Sequence, residues 1–212
     1  MNMMNDATSP VNVESGGHAK GVAIAVVSDN KDDSGQGRVK VRYSWHSQPT
    51  TSYWARIAMP MAGGARGMYF LPEVGDEVLV AFDKGDVRFP YIVGSLWNGV
   101  DKSPVNNADG KNDLRMIKTR KGHKLTVDDG TKGMVRLELS DGKKLEIDDD
   151  GLRLDDGKGN KITFASGSGG VEVVAATSLS IKAPKISIEA SGTLAIKAGS
   201  TLTLNGATVT IN

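Results

Sequence analysis

The sequence has 212 residues, 11 aromatic residues, no cysteine and a formal net charge of +1 at pH 7. The lack of cysteine excludes a disulfide scaffold and a thiolate metal site, and the near-neutral charge gives no general attraction to polyanions. The longest apolar run, residues 22–27, is far shorter than the ~20 residues of a membrane-spanning helix, and the N-terminus lacks the basic and apolar regions of a signal peptide. Ten of the aromatic residues lie between Tyr43 and Trp97, which predicts two different β architectures in series.

Two segments of the chain lack periodicity. Residues 1–19 are polar and patternless, and we expect a flexible arm or a segment that becomes ordered on a partner. Residues 98–113 are dominated by Asn, Asp and Gly, which is typical of a linker. These segments divide the rest of the chain into an N-terminal domain, residues 20–97, and a C-terminal segment, residues 114–212.

The N-terminal domain holds five or six short strands separated by turns that contain Gly, Asp and Pro. In residues 38–45, apolar and aromatic side chains alternate with Arg and Lys, which indicates a strand with one buried face. Short and closely spaced strands predict a small barrel, and we expect its ten aromatic residues to fill the centre. The residues assigned to the barrel core are Val39, Val41, Trp54, Val78, Val80 and Ile92.

The C-terminal segment is an internal repeat. Eleven pairs of apolar residues, each at positions i and i+2, recur every seven to ten residues from Leu125 to Ile211. Turns of Asp and Gly separate the earlier pairs, whereas Ala, Ser and Gly separate the later ones. The later pairs form the predicted core of this segment: Leu179, Ile181, Ile186, Ile188, Leu194, Ile196, Leu202, Leu204, Val209 and Ile211.

A repeat of this length extends at most ~26 Å, which is too short for one chain to close a three-sided coil around a core. Two arrangements remain: an antiparallel meander with a hairpin at every step, or three chains that wind together, each giving one face per layer. The later turns include Pro184 and lack the Asn-Gly or Asp-Gly of tight hairpins, and a single sheet leaves its apolar face uncovered. The trimer is therefore the favoured prediction, and an ordinary half-buried sheet is the alternative.

Three stretches of the N-terminal domain resemble a known family. They are residues 37–45 (GRVKVRYSW), 53–82 (YWARIAMPMAGGARGMYFLPEVGDEVLVAF) and 85–99 (GDVRFPYIVGSLWNG). They are similar to the OB-fold domain of contractile-tail spikes: phage baseplate assembly protein V, the valine-glycine repeat (VgrG) spikes of type VI secretion, and related pyocin and extracellular injection-system spikes. The repeat resembles the family's C-terminal triple-stranded β-helix. The implied fold is all-β, with an OB-fold barrel followed by an intertwined trimeric β-helix.

The sequence also departs from some members of the family. Because only 19 residues precede the barrel, the resemblance implies that the tail hub is a separate protein. The linker is too short for the lysozyme-like domain that some relatives insert. Some short phage spikes end in a His-x-His motif that binds iron at the trimer apex, but the histidines here are His18, His46 and His123. The resemblance then implies a blunt C-terminal end that a separate tip protein caps.

The resemblance implies a non-enzymatic, membrane-puncturing central spike at the baseplate of a contractile injection machine. Such machines include phage tails, pyocins, and type VI-like or extracellular injection systems. The homotrimer would dock on a hub by its OB domains and contact a target-cell membrane transiently. The implied location is a virion tail or a secreted injection particle assembled in the bacterial cytoplasm, and no cofactor is implied. A PAAR-repeat protein would cap the tip, and the residues predicted to hold it are Asn205, Thr210 and Asn212.

Catalytic and metal-binding motifs do not stand out in the sequence. It contains no G-x-S-x-G, no phosphate-binding P-loop and no H-E-x-x-H. The acidic runs at residues 128–130 and 148–151 lack the alternating spacing of a calcium loop, and β-turns explain them fully. We therefore predict no enzyme and no metal site.

The alternative function is that of an OB-fold protein that binds single-stranded nucleic acid. Aromatic residues on the barrel strands would stack the bases, and the candidates are Tyr43, Trp45, Tyr53 and Trp54. Such platforms normally accompany a cationic track, whereas residues 20–97 have a net charge of only +1. The charge therefore favours a spike without a nucleic-acid partner.

Overall fold

The computed structural model describes residues 13–14, 18–19, 21–44 and 51–211. Every regular element in these ranges is a β-strand, which confirms the all-β prediction. Within the same ranges, no helix is long and apolar enough to cross a membrane. The chain divides into two compact units, residues 1–108 and residues 109–212.

The first unit contains nine described strands. The two long strands β3 and β8 bury alternate side chains because successive residues of a strand point to opposite faces. The strands are β1 (Val13–Glu14), β2 (His18–Ala19), β3 (Val22–Asp29), β4 (Lys40–Tyr43), β5 (Arg56–Ile57), β6 (Ala62–Gly63), β7 (Arg66–Gly67), β8 (Glu77–Asp83) and β9 (Asp86–Ser95).

Five segments of the first unit close into a barrel. Strand β3 pairs with β4 on one side and with β8 on the other, β8 pairs with β9, and β9 pairs with β5 in parallel. The circle closes because the chain before β5 bridges to β4 and its flank, with Val39 opposite Ala55 and Arg42 opposite Thr51. A closed five-segment barrel of this kind is the arrangement of an OB-fold.

Small and β-branched residues fill the barrel. Five of the six residues assigned to its core are buried, with exposed fractions of 0–2%. They are Val39, Val41, Val78, Val80 and Ile92. Four alanines share this core with them: Ala19, Ala23, Ala25 and Ala55. Short side chains suit the centre of a narrow barrel because facing strands leave little volume between them.

The sixth residue assigned to the core, Trp54, lies on the outside of the barrel. Its neighbour Ala55 is fully buried, so strand alternation directs Trp54 outward, where it is half-buried. The charged groups of Arg38 and Lys40 lie 5.5 and 4.7 Å from the centre of its ring. Trp54 therefore lies on the outer surface of the barrel, where its ring makes cation–π contacts with Arg38 and Lys40.

The expectation that aromatic residues fill the barrel is also wrong. Among the described aromatic residues of the first unit, only Tyr43 and Phe82 are buried, and their ring centres are 5.8 Å apart. Several others are more than half exposed, including Tyr69 and Trp97. The concentration of aromatic residues in this unit is thus mainly a property of its surface.

Part of the predicted N-terminal arm pairs with the barrel sheet. Strand β1 pairs with β2, and β2 pairs with β9 through His18 opposite Asp86. The backbone N–H of Ala19 donates to the carbonyl of Gly85 at 2.7 Å, and its side chain is 3% exposed. The arm is therefore anchored at its C-terminal end, and its other residues lie largely outside the described ranges.

The second unit is a seven-stranded antiparallel meander in which each strand pairs with the next along the chain. Residues 114–174 thus form every strand pairing of this sheet within one chain. The strands are β10 (Leu114–Lys118), β11 (Lys124–Asp128), β12 (Met134–Glu138), β13 (Lys144–Asp148), β14 (Gly151–Asp155), β15 (Lys161–Ala165) and β16 (Gly170–Val174).

The turns explain why this part of the repeat is a meander. Between β13 and β14, the carboxylate of Asp148 accepts hydrogen bonds from the backbone N–H groups of Asp150 and Gly151 at 3.0 and 3.1 Å. Gly151 has φ 143°, and a Cβ there would lie 1.8 Å from the carbonyl oxygen of Phe164. Only glycine fits this position, so the acidic run has the structural role of a tight turn.

Residues 175–211 contain no strand in the single chain. Their apolar alternation continues that of the meander, but their turns lack the Asp-Gly sequences that close four of the six earlier hairpins. The change in turn composition therefore precedes the end of the meander by one hairpin, because the turn between β15 and β16, residues 166–169, already lacks Asp-Gly.

Replacing Ile92 by alanine tests the barrel core. Because Ile92 is 2% exposed, Ile92→Ala should lower the free energy of unfolding by about 2–5 kcal/mol, measured by urea denaturation. The adjacent Val93 is 45% exposed, so Val93→Ala is the matched control and should cost less than about 1 kcal/mol. Equal losses for the two variants would contradict the observed inward face of β9.

Candidate assembly face

The second unit has one apolar face, made of two rows of side chains. Consecutive strands are in direct register, so each row runs across all seven strands. The first row is Ile117, Leu125, Leu137, Leu145, Leu154, Ile162 and Val173. The second row is Arg115, Val127, Val135, Ile147, Leu152, Phe164 and Val171. These two rows are called the apolar face below. Arg115 is the single charged residue in it.

Most of the apolar face is exposed in the single chain. Ten of its apolar side chains have exposed fractions between 37% and 63%, and Leu145, Leu152 and Ile162 are half-buried. An open groove of about 550 Å³ runs along part of the first row. A continuous apolar surface of this extent marks an interaction site in a soluble protein.

The opposite face is covered by its own charged side chains. Glu146, on the central strand, is 7% exposed. The Nε atom of Arg136 donates to one of its carboxylate oxygens at 2.5 Å, and Arg153 donates to the other from Nε and Nη2 at 3.0 and 2.9 Å. Arg153 also pairs with Asp148. Because Arg136, Glu146 and Arg153 lie directly opposite one another in register, they tie three strands together.

Ion pairing controls the protonation of these carboxyl groups. Burial by itself raises the pKa of Glu146, but the hydrogen bonds from Arg153 and Arg136 outweigh it and hold the pKa below its ordinary value. The same opposition holds for Asp148, where burial raises the pKa and the hydrogen bond from Arg153 more than reverses the effect. Both groups are therefore ionised in the folded sheet at neutral pH.

The predicted shaft core of residues 175–211 is exposed in the single chain. Its ten residues have exposed fractions between 50% for Ile186 and 84% for Ile211, and none of them lies in a strand. Of the residues predicted to hold a tip protein, Asn205 and Thr210 are exposed. Asn212 lies outside the described residues.

The candidates for base stacking do not form a platform. Tyr43 is 8% exposed, and the ring of Trp54 is occupied by Arg38 and Lys40. Tyr53 is exposed, and Trp45 lies outside the described residues. Within the described part of the chain, no three His, Asp or Glu side chains converge to hold a metal ion.

The row of residues around Glu146 was missed in the sequence. Its members lie between the two apolar residues of each pair: Thr126, Arg136, Glu146, Arg153, Thr163 and Glu172. The signal was the alternation of opposite charges at these middle positions. It becomes visible once the strands are known to be adjacent and in register.

Two family models match the two units separately. The family described as the type VI secretion system/phage-baseplate injector OB domain matches residues 23–97. The family described as the phage baseplate V C-terminal trimerisation domain matches residues 115–168. The chain belongs to the baseplate V and VgrG family of spike proteins. The trimerisation domain of this family spans nearly all of the apolar face.

Curated VgrG spike proteins match over part of their length. The type VI secretion system spike protein VgrG5 of Pseudomonas aeruginosa is 33% identical over 114 residues, which is 52% of this chain and 14% of the relative. VgrG3 of Vibrio cholerae is 37% identical over 79 residues, 35% of this chain and 8% of the relative. VgrG1a of Pseudomonas aeruginosa is 36% identical over 72 residues, 32% and 11% of the two chains. The chain thus matches a small part of each relative.

The ion-paired carboxyl groups predict a pH-dependent sheet. A carboxyl group whose pKa is lowered by folding stabilises the fold above its unfolded pKa, ~4.3 for Glu, and this stabilisation is lost as the pH falls. Acidification from pH 7 should therefore lower the urea midpoint of unfolding. Glu146→Gln should make that decline shallower, because the amide does not titrate. The control is Glu172→Gln, at the exposed end of the same row, and an unchanged slope in Glu146→Gln would contradict the assignment.

Proposed function

We propose that this chain is the non-enzymatic central spike of a contractile injection machine and that three copies assemble through their apolar faces. The uncovered apolar face, in a segment that matches a trimerisation domain, is the observation that carries the proposal. Three such sheets around an axis form a prism with their apolar rows inside. The charged faces, each held together around Glu146, then lie on the outside.

Burial of the apolar face gives the assembly a driving force of the required size. Full burial of a Leu, Ile, Val or Phe side chain contributes about 1.5–3 kcal/mol. Since these side chains are already about half covered, thirteen of them contribute on the order of 10 kcal/mol per chain. Each association step costs roughly 4–15 kcal/mol of lost translational and rotational freedom. The faces of three chains together are therefore of the size that a trimer needs.

Residues 175–211 fit the wound part of the β-helix, in which each chain gives one face per layer. Their backbone has no strand partner in the single chain, and neighbouring chains would supply the missing hydrogen bonds. Their apolar residues would then meet on the axis. Two observations support this assignment: the alternation of apolar residues continues through the segment, and those apolar residues are uniformly exposed.

The first unit is proposed to dock on a tail hub. Large apolar side chains lie exposed on either side of the β6–β7 hairpin, and exposed clusters of this kind mark protein-binding surfaces. They are Met61, Met68, Tyr69 and Phe70, with exposed fractions between 43% and 74%.

The C-terminal end is proposed to carry a PAAR-repeat tip protein on Asn205, Thr210 and Asn212, and to meet the target membrane first. Contraction of an outer sheath would supply the work, so the spike has to remain folded under load and performs no chemistry. Residues 175–212 hold three Lys and one Glu. So few charges limit both attraction to and repulsion from an anionic surface during passage. The particle is accordingly a phage tail or a secreted injection particle.

The oligomeric state tests the proposal directly. Sedimentation should give a mass of about 67 kDa, three times the chain mass of 22.4 kDa. Leu137→Asp should yield monomers, because it places three carboxylates at the axis at a cost of several kcal/mol. Leu137 is 47% exposed in the single chain, so the monomer tolerates the change. Thr163→Asp introduces the same charge on the opposite face and should leave the trimer intact. A monomeric wild type would refute the proposal.

A second variant separates the wound segment from the meander. Leu194→Asp should leave the trimer assembled through the apolar faces, but residues 175–211 should become sensitive to limited proteolysis. Thr193→Asp, whose side chain alternates to the outside, is the matched control and should remain resistant. Equal resistance of both variants, read by mass spectrometry of the fragments, would place Leu194 away from the axis.

A further inference from the structure

The two sides of the meander carry opposite net charges. The turns of residues 119–123, 139–143 and 156–160 lie on one side of the sheet, and those of residues 129–133, 149–150 and 166–169 lie on the other. Together with the adjoining strand ends, the first side has eight cationic and four acidic side chains, a net charge of +4. The second side has five aspartates and one lysine, a net charge of −4. The first row of turns, at one end of the strands, is called the basic edge, and the second row, at the other end of the strands, is called the acidic edge.

The first hairpin, β10–β11, concentrates this separation. Its turn end carries four cations: Lys118, Arg120, Lys121 and Lys124. Its open end carries three aspartates: Asp113, Asp128 and Asp129. The backbone N–H of Asp129 donates to the carbonyl of Asp113 at 2.9 Å, which keeps the acidic end together. A strand of five residues is roughly 16 Å long, so the two ends cannot neutralise each other within one chain.

Several of these charges are available to another molecule. Among the described residues, Lys118, Lys121 and Asp113 make no ion pair. Both lysines are exposed. Asp129 pairs with Arg115 at 3.4 Å, but each of the two side chains is more than half exposed. Intrachain pairing therefore leaves both ends of the hairpin charged.

We infer that the acidic edge of one copy of this chain meets the basic edge of the next copy, with all copies pointing the same way along the spike. This inference rests on the proposed trimer, in which the apolar faces turn inward. Rotation about a common axis brings one edge of each sheet against the opposite edge of its neighbour. At the level of the first hairpin, three aspartates then face four cations, and the attraction orients the chains as they meet.

The same charges oppose an inverted neighbour. A copy turned end over end would present its acidic edge to an acidic edge. Since β13 is the middle strand of seven, its turn to β14 would face its own copy, and that turn holds Asp149 and Asp150 beside Asp148. Like charges would then meet at the centre of the sheet, which disfavours the inverted pair. The apolar face drives association, and the edges select its direction.

Charge reversal at both ends of the hairpin tests the inference by measuring the rate of trimer assembly after dilution from urea. Lys118→Glu/Lys121→Glu brings the turn end from +4 to 0, and Asp113→Lys/Asp129→Lys brings the open end from −3 to +1. At low ionic strength each pair should slow assembly by about tenfold or more, because steering charges act on association rates. The four substitutions combined should assemble faster than Asp113→Lys/Asp129→Lys, because the repulsion between +1 and +4 is gone.

The outcomes separate this inference from the proposed function. Differences between variants should shrink in 0.5 M salt, where screening is strong. The control Lys31→Glu/Lys102→Glu lies on exposed sites of the first unit and changes the net charge by the same amount as Lys118→Glu/Lys121→Glu. It should assemble at the wild-type rate. Trimers that form at equal rates in all variants would overturn the edge pairing and leave the spike proposal standing. Additive slowing in the combined variant would also overturn it. A wild type that stays monomeric would overturn both.

Discussion

A β-sheet has two faces, and this chain covers only one face of its seven-stranded sheet. The charged face is closed by the hydrogen bonds between Arg136, Glu146 and Arg153, with Glu146 almost fully buried beneath them. The other face offers two apolar rows to the solvent, and the second unit contains no further described element that packs over most of them. That constraint makes the single chain incomplete and gives association its physical basis, because apolar area of this extent is stable only when another surface removes it from water.

The barrel satisfies the same requirement within one chain. Its five segments form a closed circle, so the inner faces of the strands cover one another. Closure around a narrow centre favours valine and alanine over aromatic residues, and this explains why Trp54 is directed outward under Arg38 and Lys40.

The sequence predicted the fold class and the family better than it predicted where the meander ends and which side chains are buried. The all-β fold, the two architectures and the family followed from alternation, repeat length and the motif around residues 53–82. The meander over residues 114–174 was weighed and set aside, because an uncovered apolar face counted against it. The sheet does have an uncovered apolar face, and this face indicates that the sheet binds a partner. Trp54 was misplaced because size was given more weight than the alternation that Ala55 fixes.

In the proposed trimer, the distribution of charge favours assembly of the meander before the segment after residue 174. The meander consists of hairpins between neighbouring strands, and such local contacts form quickly within one chain. The segment after residue 174 holds few charges and has no strand partner in the single chain, so charge contributes little to its choice of direction and register. Both would be fixed by the apolar rows and the charged edges of the meander. The wound segment would then close from an already aligned start, which lowers the entropic cost of bringing three chains together.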